Sequence, residues 1–126
     1  MVMAAEISVL VVDDDILIRL DLVDYLHNEG FRVFEAGDAD AAIAILEANP
    51  GIHILLTDVD MPGSMDGLKL SAAVRNRWPP VRIVVTSGHR IVAATDLPAG
   101  GLFFSKPYAP ETLARSLRDL VIAPGG

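Results

Sequence analysis

Five short apolar runs recur along the chain, separated by longer amphipathic stretches: ISVLVV (7–12), FRVFEA (31–36), IHILLT (52–57), RIVVTS (82–87) and GLFFS (101–105). The first, third and fourth are continuous and β-branched, as strands covered on both faces are, and this predicts a parallel sheet. FRVFEA alternates, which suits a strand near an edge. Between the runs, Ile18, Leu22, Tyr25 and Leu26 fall at i, i+4, i+7 and i+8. One face of a helix over about 16–29 is therefore apolar, and Gly30 ends it. A second helix is Ala-rich, with Asp38 as its N-cap and NPG as its stop. A third runs DGLKLSAAVRNRW into Pro79 and Pro80, and a last one begins near Pro110 with Glu111 in its first turn and Arg115 and Arg118 further on. HRIVAATDLPAGG allows at most about two helical turns before Leu97 and Pro98 break it. The strand–helix alternation implies right-handed crossovers and an open α/β sheet that fills the 126 residues as one domain, with a core over about 6–122.

Composition narrows the class. Apolar residues make up 52% and charged residues 21%, the balance of a packed protein, not a disordered tail. A net charge of -7 with ten scattered basic residues argues against direct binding to nucleic acid. No cysteine is present, so neither disulfides nor a thiolate metal site can form. The N-terminal apolar stretch is bracketed by Glu6 and by Asp13, Asp14 and Asp15, is too short to span a bilayer and lacks a basic leader. We expect a cytoplasmic protein without membrane contact.

In open α/β sheets ligands sit beyond the carboxyl ends of the strands, so the residues that follow each apolar run mark the candidate site. Strand one delivers Asp13, Asp14 and Asp15; strand three Asp58 and Asp60; strand four Thr86, Ser87 and Gly88; strand five Ser105, Lys106 and Pro107. Carboxylates crowded at one sheet edge repel unless a cation is present. An all-oxygen set with room for water suits Mg²⁺ or Mn²⁺. A lysine and a hydroxyl facing that ion can both donate to phosphoryl oxygens.

VLVVDDD, LLTDVDMPGSMDG, VVTSGH and FFSKPY, in this order and at the ends of strands one, three, four and five, resemble the receiver domain of bacterial two-component response regulators across almost the whole chain. The resemblance implies a flavodoxin-like, doubly wound sheet of five parallel strands in the order 2-1-3-4-5, layered αβα. It implies that Asp58 is the phosphoacceptor and attacks a phosphohistidine to form an aspartyl phosphate. It further implies that Asp14 binds the metal directly, Asp13 mostly through water, and Asp60 through its backbone carbonyl. Lys106 would pair with the phosphoryl oxygens, Pro107 following it through a bond typically cis in the family. Ser87, with Thr86 as runner-up, would be the switch hydroxyl and Phe103 the aromatic that turns inward with it. The implied partners are a sensor histidine kinase or a histidine phosphotransfer protein and a downstream protein target, with the receiver a monomer or a phosphorylation-dependent dimer. It would be a signalling phosphoacceptor, not an enzyme in its own right.

Several of these residues also have plainer readings. Asp15 opens a helix and is expected as an N-cap, outside the site. The Asp60 side chain is a solvated loop acid or a modulator of phosphoryl lifetime, and His89 occupies the other position that affects lifetime in the family. His27 and His53 lack metal-ligand spacing and are read as structural. Phe103 equally suits plain core. Leu17, Leu20 and Val23 lie off the apolar face of helix one and would form a docking patch. Two departures stand out: MPGSMDG is one residue longer than the usual loop, and the stretch from Ser87 to Lys106 is about three residues short, which points to a short helix four. No output domain is accommodated, so the chain is expected to be a single-domain receiver or one excised from a longer protein. A pseudo-receiver that takes no phosphate and an Asp-nucleophile phosphohydrolase are the rival readings. The hydrolase class puts its acid pair after the first strand, whereas Asp58 and Asp60 follow the third.

Overall fold

Side chains along the central strands alternate between two buried clusters, which is why the runs read as continuously apolar. The computed structural model describes residues 6–61, 63, 65–88 and 92–122. In chain order they form β1 (Ser8–Val12), α1 (Ile16–Asn28), β2 (Arg32–Ala36), α2 (Ala39–Ala48), β3 (Ile54–Asp58), α3 (Gly67–Arg77), β4 (Arg82–Ser87), a 3₁₀ turn (Ala94–Asp96), β5 (Leu102–Ser105) and α4 (Pro110–Ile122). The five strands make one sheet in the order β2-β1-β3-β4-β5, and every pair is parallel. This is the expected doubly wound topology, with the alternating run β2 at an edge.

Leu10, Val12, Leu55, Ile83 and Val85 meet Ala42 and Leu46 of α2 and Leu70 and Val74 of α3 on one face. Val9, Val11, Ile54, Leu56 and Val84 meet Leu26 of α1 and Leu113 and Leu117 of α4 on the other. Three layers result. The helices start where polar caps permit: Asp15 accepts from the backbone N–H groups of Leu17 and Ile18, Asp38 from Ala41 and Asp66 from Lys69. Beyond α1, Gly30 takes a positive φ of 96° while Phe31 N–H donates to the Leu26 carbonyl, closing the helix as the left-handed C-terminal motif does.

Two expectations are corrected. β3 starts later than predicted and runs one residue further, so Asp58 is its last paired residue, opposite Thr86, rather than the first residue past it. The short element expected between β4 and β5, at most about two turns, is a 3₁₀ turn among the described residues. Arg75 at the end of α3 spans part of that region, donating to the carbonyls of Pro79 and Ala99. Finally, Val23 packs against the core instead of joining an exposed patch. His53, read as structural, accepts a hydrogen bond from Ser8 N–H at 2.9 Å through Nδ1. No helix among the described residues is long and apolar enough to cross a membrane.

Leu55 is fully buried in the central strand. Leu55→Ala should cost about 2–5 kcal/mol, the range for a core cavity that cannot collapse, read from urea unfolding midpoints.

Candidate functional site

The carboxyl edge of the sheet gathers the predicted chemistry into a cleft of about 320 Å³ lined by Asp13, Asp14, Asp15, Ile18, Asp58, Asp60, Gly88 and Lys106. Backbone ladders fix the mounts. Asp13 N–H donates to the Ala36 carbonyl, Val59 N–H to Thr86, and Lys106 N–H to Ser87, so each site residue continues a strand and inherits its rigidity. One ligand oxygen from each of Asp13, Asp14 and Asp58 lies within 4.8 Å of the others. Asp13 and Asp58 are buried and Asp14 is exposed, so the cluster is approached from the Asp14 side.

Lys106 Nζ stands 3.4 Å from Asp13 Oδ2 and 3.3 Å from Asp58 Oδ1. The contact to Asp58 is an ion pair without hydrogen-bond alignment, and Asp58 Oδ1 accepts no hydrogen bond among the described residues. A buried carboxylate oxygen held by an ion pair but by no aligned hydrogen bond, in an all-oxygen cluster, fits a hard divalent cation such as Mg²⁺, which would supply a further partner. Burial pushes the Asp58 carboxyl above its ordinary range; Lys106 opposes this, while Asp13 and Asp60 add to it. Burial alone would lower the Lys106 ammonium, but Asp13 and Asp58 together hold it above its ordinary value.

Asp15 caps α1, as expected, and its carboxylate is engaged by backbone N–H groups even though it lines the cleft. On β4 the side chains alternate, so Ser87 shares the face of Val85, the face on which Phe103 packs half-buried; Thr86 takes the opposite face. The Ser87 hydroxyl donates to Asp60 Oδ2 at 2.9 Å. Asp60 is thus no merely solvated loop acid. The Lys106–Pro107 peptide bond is cis. His89, and Pro62 of the MPGSMDG loop, lie outside the described residues.

Two further contributors were missed. Arg19 donates to the Asp13 carbonyl at 2.7 Å and through Nε to Glu35 at 2.9 Å, bracing the acidic loop against β2. A lone arginine on an apolar helix, just beyond three aspartates, was the available signal. Gly67 opens α3 so close to β3 that a Cβ there would collide with the Asp58 carbonyl oxygen and stand 2.9 Å from the Val59 Cα. Glycine at the first turn of a helix, where its propensity is poor, signals such an approach.

Fold and site together define an open α/β domain with a lysine-capped acidic cation cleft at the carboxyl edge of its sheet. The response regulator receiver domain model matches residues 9–118, and the chain belongs to that family, a signalling domain of two-component systems. It is 34% identical over 122 residues to the hydrogenase transcriptional regulatory protein HoxA of Cupriavidus necator, covering 94% of this chain and 25% of that protein. It is 32% identical over 118 residues to the sensor kinase CckA of Brucella abortus, covering 90% and 12%. The chain therefore spans a quarter or less of these relatives. Among solved structures, the chemotaxis protein CheY4 of Vibrio cholerae superposes with a TM-score of 0.80 at 27% identity, covering 92% of this chain and 99% of that one. Receiver domains bind Mg²⁺ at an acidic cluster, here the group of Asp13, Asp14 and Asp58.

In an unobstructed helix Gly→Ala stabilises by up to about 1 kcal/mol. At Gly67 the sign should reverse, with Gly67→Ala losing roughly 2 kcal/mol or more by urea unfolding because the Asp58 backbone must move.

Proposed function

We propose that this receiver accepts a phosphoryl group on Asp58 from the phosphohistidine of a sensor kinase or a histidine phosphotransfer protein, and that Ser87 transmits the change. The observation that supports it most is the trio of carboxylate oxygens within 4.8 Å, with the Lys106 ammonium 3.3 Å from Asp58.

An Asp58 oxygen attacks the phosphorus in line; the P–O bond forms as the P–N bond breaks, and the imidazole leaves with the electron pair. A divalent cation held by Asp13, Asp14, Asp58 and the Asp60 carbonyl would neutralise the charge that otherwise keeps an anionic phosphoryl group away from three carboxylates. Lys106 moves from pairing two carboxylates to pairing a phosphoryl oxygen, retaining its charge throughout. Burial of Asp58 between strands fixes its direction of attack, so little reorganisation remains for the reaction. Ser87 then donates to the phosphoryl group, and Phe103, on the same sheet face, follows it inward.

The donor needs a surface beside the cleft. Leu17 is 73% exposed, and Ile16 and Leu20 are about half exposed on the first turns of α1. An adjoining groove of about 190 Å³ is lined by Ile18, Asp21, Leu22, Tyr25, Tyr108 and Pro110. The apolar residues of this surface, rather than the expected Val23, suit docking of the phosphohistidine-bearing helices.

Incubation with acetyl phosphate and Mg²⁺ should add one phosphoryl mass to the chain, and EDTA should prevent it. Asp58→Asn should abolish the modification; persistence of the added mass at another residue would overturn the assignment. Lys106→Ala should leave labelling measurable but blunt the accompanying change in the amide spectrum of Ser87 and Phe103.

A further inference from the structure

Building on that reading, we propose that the Asp60 side chain is a positioning residue that latches the Ser87 hydroxyl in the unphosphorylated state, so that switching requires exchange of one anionic acceptor for another. Ser87 is fully buried, and its hydroxyl donates to Asp60 Oδ2 at 2.9 Å. A hydroxyl has a single proton to donate, so Ser87 cannot serve Asp60 and a phosphoryl group on Asp58 together. The bond is charge-assisted, and burial of Ser87 keeps water from replacing Asp60 as acceptor for its hydroxyl, which makes the unphosphorylated arrangement a discrete state.

Asp60 is placed to feel the reaction. It lies two residues beyond Asp58, lines the same cleft, and its charge contributes to the upward shift of the Asp58 carboxyl. A phosphoryl dianion on Asp58 would repel the Asp60 carboxylate far more strongly than Asp58 alone does. Repulsion weakens the latch as the competing acceptor arrives, so one event both releases the hydroxyl and gives it a new partner. The side chain of Asp60 thereby acquires a role separate from that of its backbone carbonyl, and the state of Ser87 sets how tightly the site takes up phosphate.

The test is a double-mutant cycle on the full chain, using beryllofluoride with Mg²⁺ as the phosphoryl mimic and ¹⁹F resonance of the bound species as readout. Asp60→Ala should tighten apparent beryllofluoride affinity roughly tenfold, the scale of a lost hydrogen bond to a charged group. In a Ser87→Ala background the same substitution should give a clearly smaller gain, the part due to charge repulsion alone. Asp60→Asn, which keeps an acceptor but not the charge, should give a partial gain. If Asp60→Ala tightens binding equally with and without the Ser87 hydroxyl, plain charge repulsion accounts for it and the latch is wrong. Failure of the unsubstituted chain to bind beryllofluoride would instead defeat the phosphoacceptor reading, so the two outcomes are distinguishable.

Discussion

The structure depends on keeping like charges together at the end of an apolar sheet. Two carboxylates about 4 Å apart repel by roughly 4 kcal/mol at an effective dielectric near 20, and Asp13 and Asp58 are both buried. Lys106 supplies one compensating charge from β5, reaching across the sheet edge to both. One positive charge does not balance Asp13, Asp14 and Asp58 together. A divalent cation would offset the remaining imbalance and, under the proposed function, would let the cleft take an anionic group. Burial is the first cause of the raised pKa of Asp58; Lys106 opposes the rise, and the charges of Asp13 and Asp60 add to it.

The scaffold tolerates this because the charged edge is mounted on strands whose every side chain is buried. β1 and β3 are apolar on both faces, so their backbones are held from two sides and cannot relax the carboxylates apart. Arg19 adds a brace from α1, and Gly67 brings α3 against the Asp58 backbone. The opposite side of the sheet is more lightly built. Between β4 and β5 the described residues contribute one 3₁₀ turn, and Leu102, Phe103 and Phe104 of β5 remain half-buried. The strand that carries Asp58 is thus buried throughout, whereas the strand that carries Phe103 is only partly buried.

Much of this was legible in the residues themselves. Continuous β-branched runs meant a sheet covered on both faces, the alternating run meant an edge, and Asp15 and Asp38 meant helix starts, because each pattern reports a local requirement. The end of β3 was misread because strand pairing is settled by the neighbour: Asp58 stays in the ladder opposite Thr86. The short element after β4 was legible as an upper limit, because Leu97 and Pro98 break a helix there, and among the described residues it is a 3₁₀ turn. Val23 was placed on the wrong surface since an apolar helix face reveals its width only when its neighbours are known.

By itself the sequence determined the order of elements, the identity of the acids and the lysine, and which end of the sheet carries them, because strand direction and chain order leave no other arrangement. Only the tertiary structure decided distances and pairings: that Lys106 faces both Asp13 and Asp58, that Arg19 ties down the acidic loop, that Gly67 must lack a side chain, and that Ser87 turns its hydroxyl to Asp60. These depend on contacts between residues far apart in the chain. Their energies exist only once the sheet has brought the strand ends within hydrogen-bonding reach.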